Sequence, residues 1–228
     1  MRVMAGVAAA FLLAGVAWAD PAPDAAPAPG DTTAQPAAPA APPAAAPAPA
    51  VTVPPNGPVA TIVTSLGTMT VTLDPVHAPI AVKNFIQYAK EKHFNGTVFY
   101  RVEPGFVIQA GSYLADGSFK GGLHKTIAFE GNNGLKNVHG AIAMARGSDP
   151  ASAAAEFFID LSDMPQLDQA PGDTTNSTGY AVFGQVTGGM DVLDKIGAVP
   201  VGSGIGPFPQ AAPIIPVVIE RVTISPAH

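Results

Sequence analysis

The chain of 228 residues contains no cysteine, which removes disulfide staples, thiolate nucleophiles and sulfur-rich metal sites at once. Charge is scarce as well. Only 12% of residues are charged, the formal net charge is -6, and no cluster of Lys or Arg occurs, so the electrostatic grip that nucleic-acid binding requires is missing. The five histidines, His77, His93, His124, His139 and His228, are scattered without i, i+4 pairing or carboxylate spacing, and no metal site is expected from them. Gly-x-Ser-x-Gly is absent, which gives hydrolase chemistry little support. The Gly-rich run Gly202-Ser203-Gly204-Ile205-Gly206 lacks the Gly-Lys-Ser/Thr ending of a phosphate loop and reads as a connection.

What is present falls into three parts. Residues 1–19 carry Arg2, an apolar run from Ala5 to Val16, and Ala17-Trp18-Ala19 before Asp20, the layout of a cleavable secretory signal. The run is too short to cross a hydrocarbon core of roughly 30 Å as a helix, so no stable membrane insertion is expected after cleavage. Residues 20–57 are almost entirely Ala and Pro. They offer nothing large to bury against the entropy of ordering, and their proline content favours extended polyproline geometry. This stretch reads either as a tether or as a solvated tail. Residues 58–228 have the length of one ordinary domain with a sizeable core.

Within that domain, Val59–Ser65 and Thr68–Leu73 are β-rich runs separated by Leu66-Gly67, which predicts a hairpin. Pro79 can start a helix in which Val82, Phe85, Ile86 and Ala89 share one face, while Lys83, Asn84, Gln87 and Lys90 look away. Further short strands are predicted at Thr97–Arg101, Phe106–Gln109, Ala141–Ala145, Phe157–Leu161 and Tyr180–Phe183. A second helix is expected over Gly188–Ile196 and a last strand over Val217–Ile224. Many strands with two helices suggest an all-β fold, a closed antiparallel eight-stranded β-barrel with a helix over each open end, because closure hides strand edges in a monomer. An open sandwich is the alternative.

The most informative stretch is Phe99-Tyr100-Arg101-Val102-Glu103-Pro104-Gly105-Phe106-Val107-Ile108-Gln109. Two short strands joined at Pro104-Gly105 put Arg101 and Gln109 on one face among apolar side chains. A guanidinium steadied by a neutral amide suits gripping an uncharged carbonyl or amide nitrogen, without a nucleophile.

These residues resemble the cyclophilin-type peptidyl-prolyl cis-trans isomerases, particularly the bacterial periplasmic kind. The likeness is carried by Phe99–Val102 with Pro104–Gln109, Gly134–Asn137 leading to Gly140–Arg146, Glu156–Ile159, Leu167-Asp168 and Val182–Val186. It implies that Arg101 and Gln109 are catalytic. It also implies that Phe106, Val107, Phe158 and Leu167 line a proline pocket, that Ala145 and the backbone of Arg146 align the peptide, and that Tyr180 closes the rim. No cofactor or metal is implied, the partners are proline-containing polypeptides, and periplasmic export of a monomer is expected; a non-catalytic proline-peptide binder or holdase is the rival reading. Arginine stays charged at all working pH, so turnover is expected to vary little between about pH 6 and 9. Three departures stand out. Glu156 replaces a usual Gln and is expected at the groove's edge, where it would either pair with Arg101 or Arg146 or favour basic residues in the bound peptide. Gln166 stands where a Trp accompanies tight cyclosporin binding, which implies weak inhibition. The insertion Gln169–Gly179 lies beside the groove.

Overall fold

The computed structural model describes residues 53–173, 178–202 and 206–227; the expected signal and most of the Ala/Pro segment lie outside these residues. The elements run β1 (Val59–Thr64), β2 (Gly67–Leu73), α1 (Pro79–Lys90), β3 (Arg101–Glu103), β4 (Val107–Ala110), β5 (Ala141–Met144), β6 (Phe157–Asp160), β7 (Ala181–Gly188), α2 (Met190–Gly197) and β8 (Ile219–Ser225). All strands join one antiparallel sheet in the order β3-β4-β6-β5-β7-β2-β1-β8.

The barrel is not closed. β8 does pair with β1, as expected of a terminal strand. Since β1 is already paired with β2, this leaves β8 and β3 as the two edges of an open, curled half-barrel. The edges meet only through irregular backbone: Val98 forms an isolated bridge with Val218, and Phe99 N donates to Val217 O at 3.0 Å. That diversion also explains why β3 begins at Arg101 and not at Thr97. Residues 97 and 98 bridge to Leu114 and Val218 before the β3 ladder starts. The outer side of β3 is covered where Val102 N donates to Ala211 O at 2.7 Å, one way of disarming a sheet edge.

Alternation along the strands divides the side chains between two faces. The inner face and helix α1 enclose Ile62, Met69, Leu73, Phe85, Phe94, Phe157, Ile159 and Phe183, with Phe85 stacked on Phe94 at 5.0 Å and edge-on to Phe157 at 5.5 Å. Helix α1 starts at Pro79 without an acidic residue in its first turn. Glu130 serves instead, accepting from Ile80 N at 3.0 Å and Ala81 N at 2.8 Å, so a distant carboxylate satisfies the free N–H groups and the helix dipole. Asn84, expected to face away, is buried and donates to Ala154 O; it ties the helix to the loop that leads into β6. β7 runs to Gly188, five residues past its predicted end, because Val186 and Gln185 pair with Val71 and Thr72 of β2.

Candidate active site

The opposite face of the sheet carries the site. The ladder places Arg101 opposite Gln109, Gln109 opposite Phe158, Phe158 opposite Ala143 and Ala143 opposite Val182. Directly paired residues share a face. One lateral row therefore runs from a cation through an amide onto an apolar floor, across β3, β4, β6, β5 and β7. The predicted juxtaposition of Arg101 and Gln109 is thus a property of strand register.

Arg101 is buried, with 7% of its surface exposed. Its Nη1 donates to Gln109 Oε1 at 3.1 Å, and its Nε and Nη2 both donate to Glu103 Oε1 at 2.8 and 2.6 Å. Gln109 in turn donates through Nε2 to the Tyr100 hydroxyl at 2.5 Å. The ring of Phe208 lies under the guanidinium, 5.1 Å from its carbon, and stacks on Tyr100 at 6.2 Å. Phe208 gets there because the loop that covers the β3 edge passes beside it, with Ala211 N donating to Phe208 O. A guanidinium has five N–H donors; three are engaged here, which leaves two for a ligand.

Beside this cation the floor and walls form a separate apolar cluster. Val107, Leu135, Ala141, Ala143, Phe158 and Val182 are buried, and Val53, Phe106, Ala145, Leu167 and Tyr180 pack against them. The structure therefore brings together all the residues expected to line a proline pocket. Phe158 and Tyr180 meet edge to face at 5.1 Å. Leu167 sits in a short 3-10 turn, Pro165–Leu167, and accepts from Tyr180 N at 3.0 Å. That bond closes the neck of the 169–179 insertion. Residues 174–177 lie outside the described residues, but Asp173 accepts from Thr178 N at 2.8 Å, and Arg146 donates to Gly179 O at 2.9 Å. The Arg146 guanidinium also covers the rings of Phe129 and Tyr180, so its side chain steadies the rim.

Glu156 is not at the groove's edge. Both its carboxylate oxygens are buried, and they make no hydrogen bond to either arginine. The side chain sinks against Gly111, whose missing Cβ would lie 2.9 Å from Glu156 Cδ. It stands between Tyr100 and Ser112, whose groups partly offset the burial that pushes the carboxyl up to about 7, although neither oxygen completes a hydrogen bond of ordinary geometry. Burial, then the charge of Glu156, hold Tyr100 well above its ordinary range. Asp160, beside Val107 in the ladder, is fully buried with both oxygens unpartnered, and burial and Asp168 push it up to about 8.

Sequence reasoning missed Glu103, Phe208 and Ser112. Glu103 was within reach, since two residues along a strand share a face. Phe208 had no local signal. Among the described residues, no group of three or more His, Asp or Glu is placed to hold a metal ion.

Residues 59–224 match the family model for cyclophilin type peptidyl-prolyl cis-trans isomerases. Peptidyl-prolyl cis-trans isomerase A of Dickeya dadantii is 41% identical over 163 residues, covering 72% of this chain and 82% of that protein. An isomerase of Streptomyces antibioticus is 44% identical over 161 residues, 71% of this chain and 95% of that one. Among solved structures, a cyclophilin type isomerase of Cryptosporidium parvum, determined in the presence of the dipeptide Ala-Pro, superposes with a TM-score of 0.59 at 25% identity over 73% of this chain and 98% of that chain.

Proposed function

The chain belongs to the cyclophilin-type peptidyl-prolyl cis-trans isomerases, and from that premise we propose that Arg101 drives X-Pro rotation in exported polypeptides by stabilising the twisted amide. The observation that carries this reading is the row from Arg101 through Gln109 to Phe158, Ala143 and Val182. An amide resists rotation by about 18–20 kcal/mol because the nitrogen lone pair is delocalised into the carbonyl. A pyrrolidine ring held on the Phe158 floor, between Phe106, Val107, Leu167 and Tyr180, stays still while the preceding carbonyl turns. As conjugation fails, the prolyl nitrogen becomes a hydrogen-bond acceptor, and the two unengaged N–H groups of Arg101 are the donors for it. A preorganised donor at a site poor in water favours this state over both planar ones. No covalent intermediate is required. Glu103 and Gln109 hold the fork in orientation, and Phe208 shields it from solvent.

Exchange spectroscopy on a short Ala-Pro peptide tests the activity: accelerated interconversion supports catalysis, whereas binding with an unchanged rate leaves only a proline-peptide binder. Export to the periplasm, with loss of residues 1–19, is the second part of the reading and is supported by the signal-like N-terminus. N-terminal sequencing of protein recovered from the periplasmic fraction is expected to begin at Asp20. Full-length protein confined to the cytoplasm would refute that part.

A further inference from the structure

A second arginine stands at the other end of the row, against the rim of the apolar cluster. β5 pairs with β7 in a register that sets Met144 opposite Ala181. Carried two residues past the end of that ladder, the same register brings Arg146 opposite Gly179, and Arg146 Nε donates to Gly179 O at 2.9 Å. Gly179 has φ +74, and a Cβ there would lie 2.3 Å from Gln169 N, at the start of the insertion. The position is closed to a side chain. Over the next residue, the guanidinium carbon stands 5.4 Å from the centre of the Tyr180 ring, and it is also 5.2 Å from the ring of Phe129. Nη1 donates to Gly147 O at 3.1 Å.

Both ends of this stack are anchored. On one side, Ile127 N donates to Ala153 O at 2.9 Å, and Glu130 accepts from Ile80 N and Ala81 N at the start of α1, so the chain is fixed before and after Phe129. On the other, Tyr180 N donates to Leu167 O at 3.0 Å and its ring meets Phe158 edge to face at 5.1 Å. A path of contacts therefore runs from helix α1 through Phe129 and Arg146 to Tyr180 and the apolar floor.

We propose that the Arg146 side chain is a positioning residue that fixes the stance of Tyr180, and so sets the size of the ring the pocket admits: five-membered proline over its six-membered homologue, pipecolic acid. The inference rests on the reading of that cluster as the proline pocket. A tyrosine ring turns about two side-chain bonds, and the hydrogen bond from Tyr180 N to Leu167 restrains neither of them. Packing must do so. A planar guanidinium can lie against aromatic rings while its N–H groups donate to carbonyls. Arg146 grips two consecutive residues in this way, Gly179 through its carbonyl and Tyr180 through its ring, so main chain and side chain of the wall are held together. Without that grip Tyr180 can swing away from Phe158, and the slot gains room for one more methylene. The donors assigned to the twisting amide lie on β3, so the effect falls on selecting and binding the ring.

The test compares kcat/KM for blocked Ala-Pro and Ala-pipecolyl peptides, measured on the full chain by exchange spectroscopy and corrected for uncatalysed rotation. One methylene in excess in an apolar pocket is worth about 10- to 200-fold, so wild type is expected to prefer proline by about tenfold or more. Arg146→Ala keeps the backbone at this position and is expected to bring the two peptides within about threefold of each other, with a raised KM for the prolyl one. Arg146→Lys keeps the charge without the planar group and is expected to behave like Arg146→Ala. Phe129→Ala, which removes the far side of the stack, is expected to lower the preference as well. Each variant is checked for native circular dichroism; should an alanine variant lose it, Arg146→Lys decides on the same criterion. A wild type that does not distinguish the peptides, or a preference that persists in folded Arg146→Ala or in Arg146→Lys, overturns the inference. No turnover of either peptide by wild type overturns the earlier reading, and this one with it; full activity in Arg101→Ala overturns the earlier mechanism alone.

Discussion

Replacing Arg101 by alanine deletes three hydrogen bonds, at 2.6, 2.8 and 3.1 Å, and the packing of the guanidinium on Phe208. The structural cost is modest. The two bonds to Glu103 join a buried cation to a carboxylate that is 39% exposed, and solvent screening reduces such a pair to about 1 kcal/mol or less. Gln109 keeps its bond to Tyr100, and β3 keeps its ladder to β4. The protein is therefore expected to fold with the wild-type circular dichroism spectrum. Catalysis is a different matter, because in the proposed mechanism the lost donors act only where the amide is twisted. Removing one preorganised donor from such a site costs about 2.7–4 kcal/mol, or about 100- to 1000-fold in turnover. Arg101→Lys keeps the charge, but a single ammonium cannot reproduce the planar fork that spans Glu103 and Gln109, so a loss of about 10- to 100-fold is expected. The assay is interconversion of an Ala-Pro peptide at pH 8. A folded Arg101→Ala protein within about threefold of wild type, less than 1 kcal/mol of barrier, would refute the assignment.

Phe208→Ala removes the ring under Arg101 and admits water to the guanidinium; kcat/KM is expected to fall about three- to thirtyfold, given about 0.5–2 kcal/mol for a shielded cation on an aromatic face, with KM for the peptide little changed. Asp160, fully buried and pushed up to about 8, binds its proton more tightly in the folded state than in the unfolded state, where a carboxyl titrates near about 4. Stability is therefore expected to fall as pH rises between these values and then level off. Glu156 adds a slope of the same sign up to about 7, so the measurement is the difference in Tm between wild type and Asp160→Asn, which should widen in favour of the variant from pH 5 to pH 9; a constant difference would dispose of the idea. Gly111→Ala places a Cβ 2.7 Å from Ala155 O and Glu156 Cα at a φ that side chains rarely adopt, and a loss of about 1–3 kcal/mol of stability is expected from the strain, read as a lower urea midpoint.

Much of the fold was legible because hydrophobic period and turn chemistry act locally. The hairpin β1–β2 and helix α1 come directly from alternation, Leu66-Gly67 and Pro79. The closed barrel was not so readable. Whether β3 and β8 zip together depends on backbone far apart in sequence, and residues 96–99 turned out to bridge irregularly instead. The same distinction holds at the site. Arg101 and Gln109 fall opposite each other by the geometry of one short hairpin, so spacing sufficed to pair them. Phe208 reaches the guanidinium through a loop more than a hundred residues later, and nothing in its neighbourhood announces it. Glu156 was misplaced for a related reason: the resemblance set it at the groove's edge, whereas the depth of its carboxyl depends on the room left by Gly111, just after β4 and far from it in sequence.

Val53 packs against the same apolar cluster as Phe106, Leu167 and Tyr180, yet it precedes residue 59, where the family match begins. A protein shortened to that span would retain Arg101 and Gln109 and still lose one side chain of the apolar cluster proposed to seat proline. On the proposed reading, Michaelis constants from the trimmed enzyme would then describe a shallower cradle than that of the longer chain. The boundary drawn by kinship and the boundary drawn by packing fall at different residues.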